Sequence, residues 1–125
     1  MPELPTPRPA EPVDEFAHAW VAAWNDHDLD RIMGHYHDDV VFTSPLIVDA
    51  PDRTVRSAPA LRTYFERALA RNPDLRFELL GAFAGVDSTT VVYRTHRGWV
   101  GAEVMTRADG AVRIGAAHYG QLSGS

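Results

Sequence analysis

Glu103 is the residue in this chain best suited to moving a proton. It sits in the segment WVGAEVMT, Trp99 to Thr106, where its neighbours are apolar. A carboxyl drawn into an apolar cavity resists ionisation, its pKa rising by up to about 3–5 units when fully desolvated and unpaired. Such an acid can donate a hydrogen bond or shuttle a proton near neutral pH. With Arg97-Gly98 read as a two-residue hairpin turn, His96 opposes Trp99, Arg94 opposes Gly101, Val92 opposes Glu103 and Thr90 opposes Met105. That register puts Arg94, His96 and Glu103 on one face, with Gly101 leaving room beside Arg94. Two roles for Glu103 follow: a working acid tuned by Arg94, or one half of a salt bridge that keeps it ionised and idle.

The other polar candidates carry less chemistry. Asp38 and Asp39 fall between a helix and a strand, where paired acids are usually solvated turn residues. His35 and His37 stand two apart, so helical spacing turns them to different faces. His18 and His27 converge on nothing, and no metal site is expected. Ser44, just before Pro45, is a neutral hydroxyl and a poor base. Aligning the last strand by its Asp109-Gly110 turn points Ala117 and Tyr119 inward and His118 outward. No G-x-S-x-G, phosphate loop, dinucleotide fingerprint or His-Glu-x-x-His motif occurs, so no cofactor is expected. The aromatic residues Trp20, Trp24, Tyr36, Phe42, Tyr64 and Phe65 fill space first, and some should also line a cavity.

Helices and a sheet must position these groups. Phe16, Trp20 and Trp24 recur every four residues from Val13 onward, predicting one helix with a broad apolar stripe. Asn25-Asp26-His27-Asp28 interrupts it, and Asp28 is placed to cap a second short helix whose face holds Leu29, Ile32, Met33 and Tyr36. Val40 to Thr43 reads as a strand ending at Ser44-Pro45, and Leu46 to Val55 as irregular with room for a short strand. Ser57 can cap a third helix, with Pro59 tolerated in its first turn and Asn72-Pro73 ending it. The period then becomes two. Leu75–Phe83, Thr89–His96, Trp99–Thr106 and Val112–Tyr119 read as four strands joined by tight turns. Helices first and a meander afterwards is an α+β order, with a curved sheet covered by helices on one side. The mouth of such a cone is a natural small-molecule pocket. In the predicted register the opposite face carries Val91, Tyr93, Val100 and Val104. That is too apolar for water, so a second copy is expected to cover it, making a homodimer through the sheet.

Composition sets the outer limits. The 125 residues make one domain, 45% apolar and 23% charged, with no cysteine for a disulfide or thiolate metal site. A net charge of −5 argues against nucleic acid, whose backbone needs a basic face. No apolar run is long enough for a membrane span and no signal-peptide pattern opens the chain, so a cytoplasmic location is expected. Residues 1–12 hold five of the nine prolines and read as a flexible arm before a domain over 13–125.

The segments FAHAWVAAWNDHDLDRIMGHYHDDVVFTSP, ALRTYFERAL, PDLRFELL and EVMTRADG resemble the nuclear transport factor 2-like superfamily, more narrowly its SnoaL-like members. The resemblance spans nearly all of Val13 to Tyr119. It implies a cone-shaped, curved antiparallel sheet packed on three helices from the N-terminal half, the cystatin-like α+β barrel. It also implies dimerisation through the sheet, and a cavity that different members use for isomerisation, cyclisation, epoxide opening or plain binding. Ketosteroid isomerase, similar in fold, has a carboxylate base before the proline that ends its first strand and a tyrosine on its first helix. Here those positions match Ser44 and Trp20, so that chemistry is not expected, while Glu103 falls where its protonated acid sits. The expected function is a cofactor-free pocket protein for a small, largely apolar ligand. An enzyme of isomerase, cyclase or epoxide hydrolase type, with Glu103 as acid–base group and Arg94 as its partner, is the alternative. The expected lining is Trp20, Tyr36, Phe42, Ser44 and Tyr64 from the first half, with Val92, His96, Met105 and Tyr119 from the sheet.

Overall fold

The computed structural model describes residues 11–122, so most of the proline-rich arm lies outside the described residues. Three helices precede most of the sheet: α1 (Glu11–Asn25), α2 (Leu29–Met33) and α3 (Ala58–Arg71). The strands are β1 (Tyr36–Thr43), β2 (Thr54–Arg56), β3 (Phe77–Ala84), β4 (Ser88–Thr95), β5 (Val100–Ala108) and β6 (Ala111–Gly120). They form one six-stranded sheet in the order β2-β1-β6-β5-β4-β3. The fold is α+β as expected, with two departures. The sheet curls without closing, leaving β2 and β3 as its edges, and β1 runs parallel to β6 while every other pair is antiparallel.

Local chemistry explains the element ends. The Asp28 carboxylate accepts from the Arg31 amide at 3.1 Å and starts α2. Ser57 accepts from the Ala60 amide at the start of α3, and Asn72 closes that helix through the Ala68 and Leu69 carbonyls. The break after α1 is also a latch. Asn25 donates to the Phe77 carbonyl at 2.9 Å and accepts from its amide at 2.7 Å, supplying the ladder bonds a neighbouring strand would give β3. His27 Nε2 reaches the Leu75 carbonyl at 2.8 Å. Tyr36 does not ride on α2. That helix stops at Met33, and Tyr36 opens β1 instead.

The β4–β5 turn corrects the predicted register. Thr95 and Trp99 close it, through Thr95 N–H to Trp99 O at 2.7 Å and Gly98 N–H to Thr95 O at 2.9 Å. The loop is therefore three residues, His96-Arg97-Gly98, with Gly98 in the left-handed region at φ 85°. Thr95 Oγ1 accepts from the Arg97 and Trp99 amides and fixes the bend. One extra loop residue shifts every pairing by one: Val91 opposes Glu103, Tyr93 opposes Gly101 and Arg94 opposes Val100.

Val91, Tyr93, Glu103 and Met105 consequently share the concave face, under the helices. The Trp20 ring stacks on Phe77 at 6.0 Å, Phe77 meets Tyr93 at 4.3 Å, and Trp24 meets Phe65 edge-on at 4.8 Å. These rings tie α1 and α3 to the sheet. The apolar residues of the convex face are Phe83, Val92, Val100, Ala102, Val104, Ile114 and Ala116; Val100 and Val104 were expected there, whereas Val91 and Tyr93, also expected there, face the helices. No helix among the described residues is long and apolar enough to cross a membrane.

Candidate functional site

A hollow of about 550 Å³ lies between the concave sheet and helices α1 and α3. Glu103 on β5 reaches it from the most enclosed side and is 3% exposed. Its Oε2 accepts a hydrogen bond from the Tyr93 hydroxyl at 2.9 Å, and that hydroxyl lies 3.4 Å from the hydroxyl of Tyr119. Burial pushes the Glu103 carboxyl up from its ordinary range to about 7, with the Tyr93 hydrogen bond pulling the other way. The phenols respond in turn. Desolvation first, and then the Glu103 charge, raise Tyr93 and Tyr119. Desolvation also raises Tyr64, and the nearby Ser44 hydroxyl opposes the rise at both Tyr64 and Tyr119.

Gly101 makes the Glu103–Tyr93 pair possible. A Cβ at position 101 would stand 2.5 Å from Cζ of Tyr93, so only glycine lets the ring lie flat across β5. The room that the sequence reading assigned to Arg94 belongs to Tyr93. Arg94 itself is turned to the convex face, its Nε 3.6 Å from Glu78 Oε1, with 37% of its side chain exposed. The odd loop length is the cause, and the expected Arg94–Glu103 pair does not exist.

The structure distributes the remaining expected site residues as follows. Trp20, Phe42, Ser44, Tyr64, His96 and Tyr119 line the hollow together with Glu103. Trp20 gives its N–H to the Tyr36 hydroxyl at 3.1 Å, so it offers a face rather than a donor. Tyr36 and Met105 are core residues behind the lining. Val92 faces away, opposite Ala102 on the convex side, a correction with the same cause as that for Arg94. Ser44 accepts from the Leu46 amide at 3.1 Å. His118 is exposed on the outer face, 3.3 Å from the Ala102 carbonyl.

Several lining groups escaped the sequence reading. Tyr93 faces the hollow and not the outer side expected from a two-residue turn, in keeping with Val91-x-Tyr93 being the more apolar alternate of β4. Trp24 lines the hollow with its Nε1 buried and, among the described residues, without a partner, a donor available to a ligand oxygen. His96, already expected in the lining, has Nε2 3.5 Å from Asp74, and among the described residues its buried Nδ1 has no partner. Arg71, Arg97 and Trp99 complete the mouth. Among the described residues no three His, Asp or Glu side chains gather as a metal site. The arrangement thus supplies one buried acid near its titration point, a run of hydroxyls and an aromatic wall, suited to gripping or protonating an oxygen on an apolar molecule.

Residues 17–117 match the family model of the SnoaL-like domain. Among solved structures, a SnoaL-like protein of unknown function from Burkholderia thailandensis is 37% identical, with a TM-score of 0.85 over 91% of this chain and 99% of that one. An NTF2-like protein of unknown function from Mesorhizobium loti aligns with a TM-score of 0.71 at 21% identity, over 93% of this chain and 97% of that one. A suggested ketosteroid isomerase from Kribbella flavida gives 0.71 at 14%, over 92% and 82%. These last two show the fold alone. No curated protein matches the sequence significantly. The matched span and the Burkholderia relative carry one conclusion: the chain belongs to the SnoaL-like domain family.

Proposed function

We propose that this chain is a small-molecule pocket protein that binds a compact, largely apolar ligand in the hollow above Glu103. The observation that carries this reading is the enclosed acid itself. A carboxyl 3% exposed, facing a hollow of about 550 Å³ walled by Trp20, Trp24, Phe42 and Phe65, has no ion-pair partner among the described residues to account for it. A ligand oxygen set against Glu103 or the Trp24 N–H, with its apolar body on the rings, uses every such feature. We place the protein in the cytoplasm as a homodimer through the apolar convex face of the sheet. The test uses a neutral fluorescent probe, N-phenyl-1-naphthylamine. Saturable binding to the wild type and its loss in Ala68→Trp, which narrows the hollow, are expected. A signal that Ala68→Trp leaves unchanged, in a variant that melts like the wild type, would end this reading.

An enzymatic reading has its own support in the pKa of about 7 at Glu103 and in the hydroxyls of Tyr93 and Tyr119 beside it. A neutral carboxyl can hand a proton to a carbonyl or epoxide oxygen and recover it from carbon or water, as an isomerase, cyclase or epoxide hydrolase requires. Arg94 has no part in this, since it faces away. Glu103→Gln should abolish turnover of any bound carbonyl or epoxide compound while leaving its affinity within a few fold. Retained turnover removes the enzymatic reading and leaves the binding one.

A further inference from the structure

The ionisable groups lining the hollow are segregated by depth. The single lining carboxylate, Glu103, is buried at the enclosed side, whereas Arg71 and Arg97 stand exposed at the mouth beside His96. The two arginines arrive from unrelated elements, Arg71 from the last turn of α3 and Arg97 from the tip of the β4–β5 turn. Asn72 joins them, since Arg97 donates to its Oδ1 at 3.4 Å. Neither arginine has a carboxylate within salt-bridge distance among the described residues. The nearby Asp74 is set against His96 instead. Asp49 belongs to an adjoining groove, whose wall shared with the hollow is Leu46, Tyr64, Ala68, Arg71 and Asn72. The Arg71 charge reaches inward far enough to lower the Tyr64 hydroxyl, against the larger rise from burial. In a chain of net charge −5, two unpaired guanidinium groups over one opening form a local positive field.

Resting on the binding reading above, we propose that the ligand is an amphiphile, with its apolar body on the aromatic wall above Glu103 and an anionic group, such as a carboxylate or sulfonate, held at the mouth by Arg71 and Arg97. Its length follows from the strand. Four to five residues separate Glu103 from the turn, which at about 3.3 Å per residue spans roughly 13–16 Å of backbone. That backbone span bounds the distance from the carboxyl to an anion held by the two guanidinium groups at the mouth. Trp99, 51% exposed at the rim, supplies an apolar surface between the two ends.

The test compares two probes of one skeleton by fluorescence titration: neutral N-phenyl-1-naphthylamine and its 8-sulfonate, 1-anilinonaphthalene-8-sulfonate. The sulfonate should bind the wild type about three- to tenfold more tightly, two exposed charge contacts being worth a few tenths to one kcal/mol each. The double variant Arg71→Gln, Arg97→Gln should erase that preference, bringing the affinities of the two probes together. Arg76→Gln, Arg113→Gln removes the same net charge from exposed sites outside the lining and should keep the preference. Equal affinity of the two probes for the wild type overturns the inference. So does a preference that survives the mouth variant, or one lost equally in the control, and in each case the binding reading stands. Failure of both probes to bind overturns the binding reading itself, and this inference with it.

Discussion

Replacing Glu103 with glutamine should stabilise the protein at alkaline pH and have no such effect at acid pH. The folded carboxyl titrates at about 7 against an ordinary value of 4.5, with desolvation as the main cause. Below pH 4.5 the group is neutral in both folded and unfolded chains and contributes nothing. Between 4.5 and 7 the unfolded chain ionises while the folded one keeps its proton, so stability falls as pH rises. Above 7 the loss is complete. At about 1.4 kcal/mol per pH unit it amounts to about 3 kcal/mol. Glutamine keeps an oxygen to accept from Tyr93 and carries no charge to desolvate. For a domain of this size, about 3 kcal/mol corresponds to roughly 10 °C in Tm. Melting both proteins by circular dichroism at half-unit steps from pH 4 to 9 gives the difference directly, because other titrating groups cancel. The expected curve lies near zero at pH 4, climbs through the middle of the range and levels above pH 7. A difference that does not vary with pH, or a glutamine variant that melts lower at pH 8, would refute the argument that burial governs this carboxyl.

Tyr93→Phe removes the bond that favours the ionised carboxyl, so the pH at which the Glu103 effect levels off should move above 7. The comparison of Tyr93→Phe with Tyr93→Phe, Glu103→Gln across the same range measures that movement. Gly101→Ala should cost about 1–3 kcal/mol, because its methyl would meet the Tyr93 ring at 2.5 Å and neither strand can yield. Denaturant titration checks it, and a loss below about 0.5 kcal/mol would contradict the close approach. Asn25→Ala strands both backbone groups of Phe77 and should cost about 2–3 kcal/mol, with hydrogen exchange quickening at the Phe77 amide before the rest of β3. Val104→Asp, on the convex face, should convert the proposed dimer to a monomer in sedimentation equilibrium. An unchanged mass would remove the sheet face as the subunit contact.

How much of this was legible in the sequence depended on whether a feature was local. The Asp28 and Ser57 caps, the Asn72 stop and the Asp109-Gly110 turn are each written in a few adjacent residues, and each forms as read. The inward aim of Glu103 was legible too, since Gly101, Glu103 and Met105 alternate with residues that tolerate the outer face. Its partner was not. That choice turned on whether the preceding loop held two residues or three, and Arg97-Gly98 fits either. Gly98 takes the left-handed position in both, and only the threonine bonding ahead of it selects the longer loop. Parity then exchanged Arg94 for Tyr93, replacing an ion pair with a phenol. The mouth was illegible for another reason: the end of α3 and the tip of the β4–β5 turn are some 25 residues apart, and only the curl of the sheet brings Arg71 and Arg97 to one opening.

Tyr93 stands between two oxygens with a single hydrogen to give. When Glu103 is ionised that hydrogen is committed to the carboxylate, and Tyr119 must furnish the one for the contact between the two rings. When Glu103 is protonated the acid can donate instead, and Tyr93 is released to point at Tyr119. The orientation of an O–H at the wall beside Ser44 therefore follows a proton two links away, and a bound molecule at Tyr119 meets a giver of hydrogen in one state and a taker in the other.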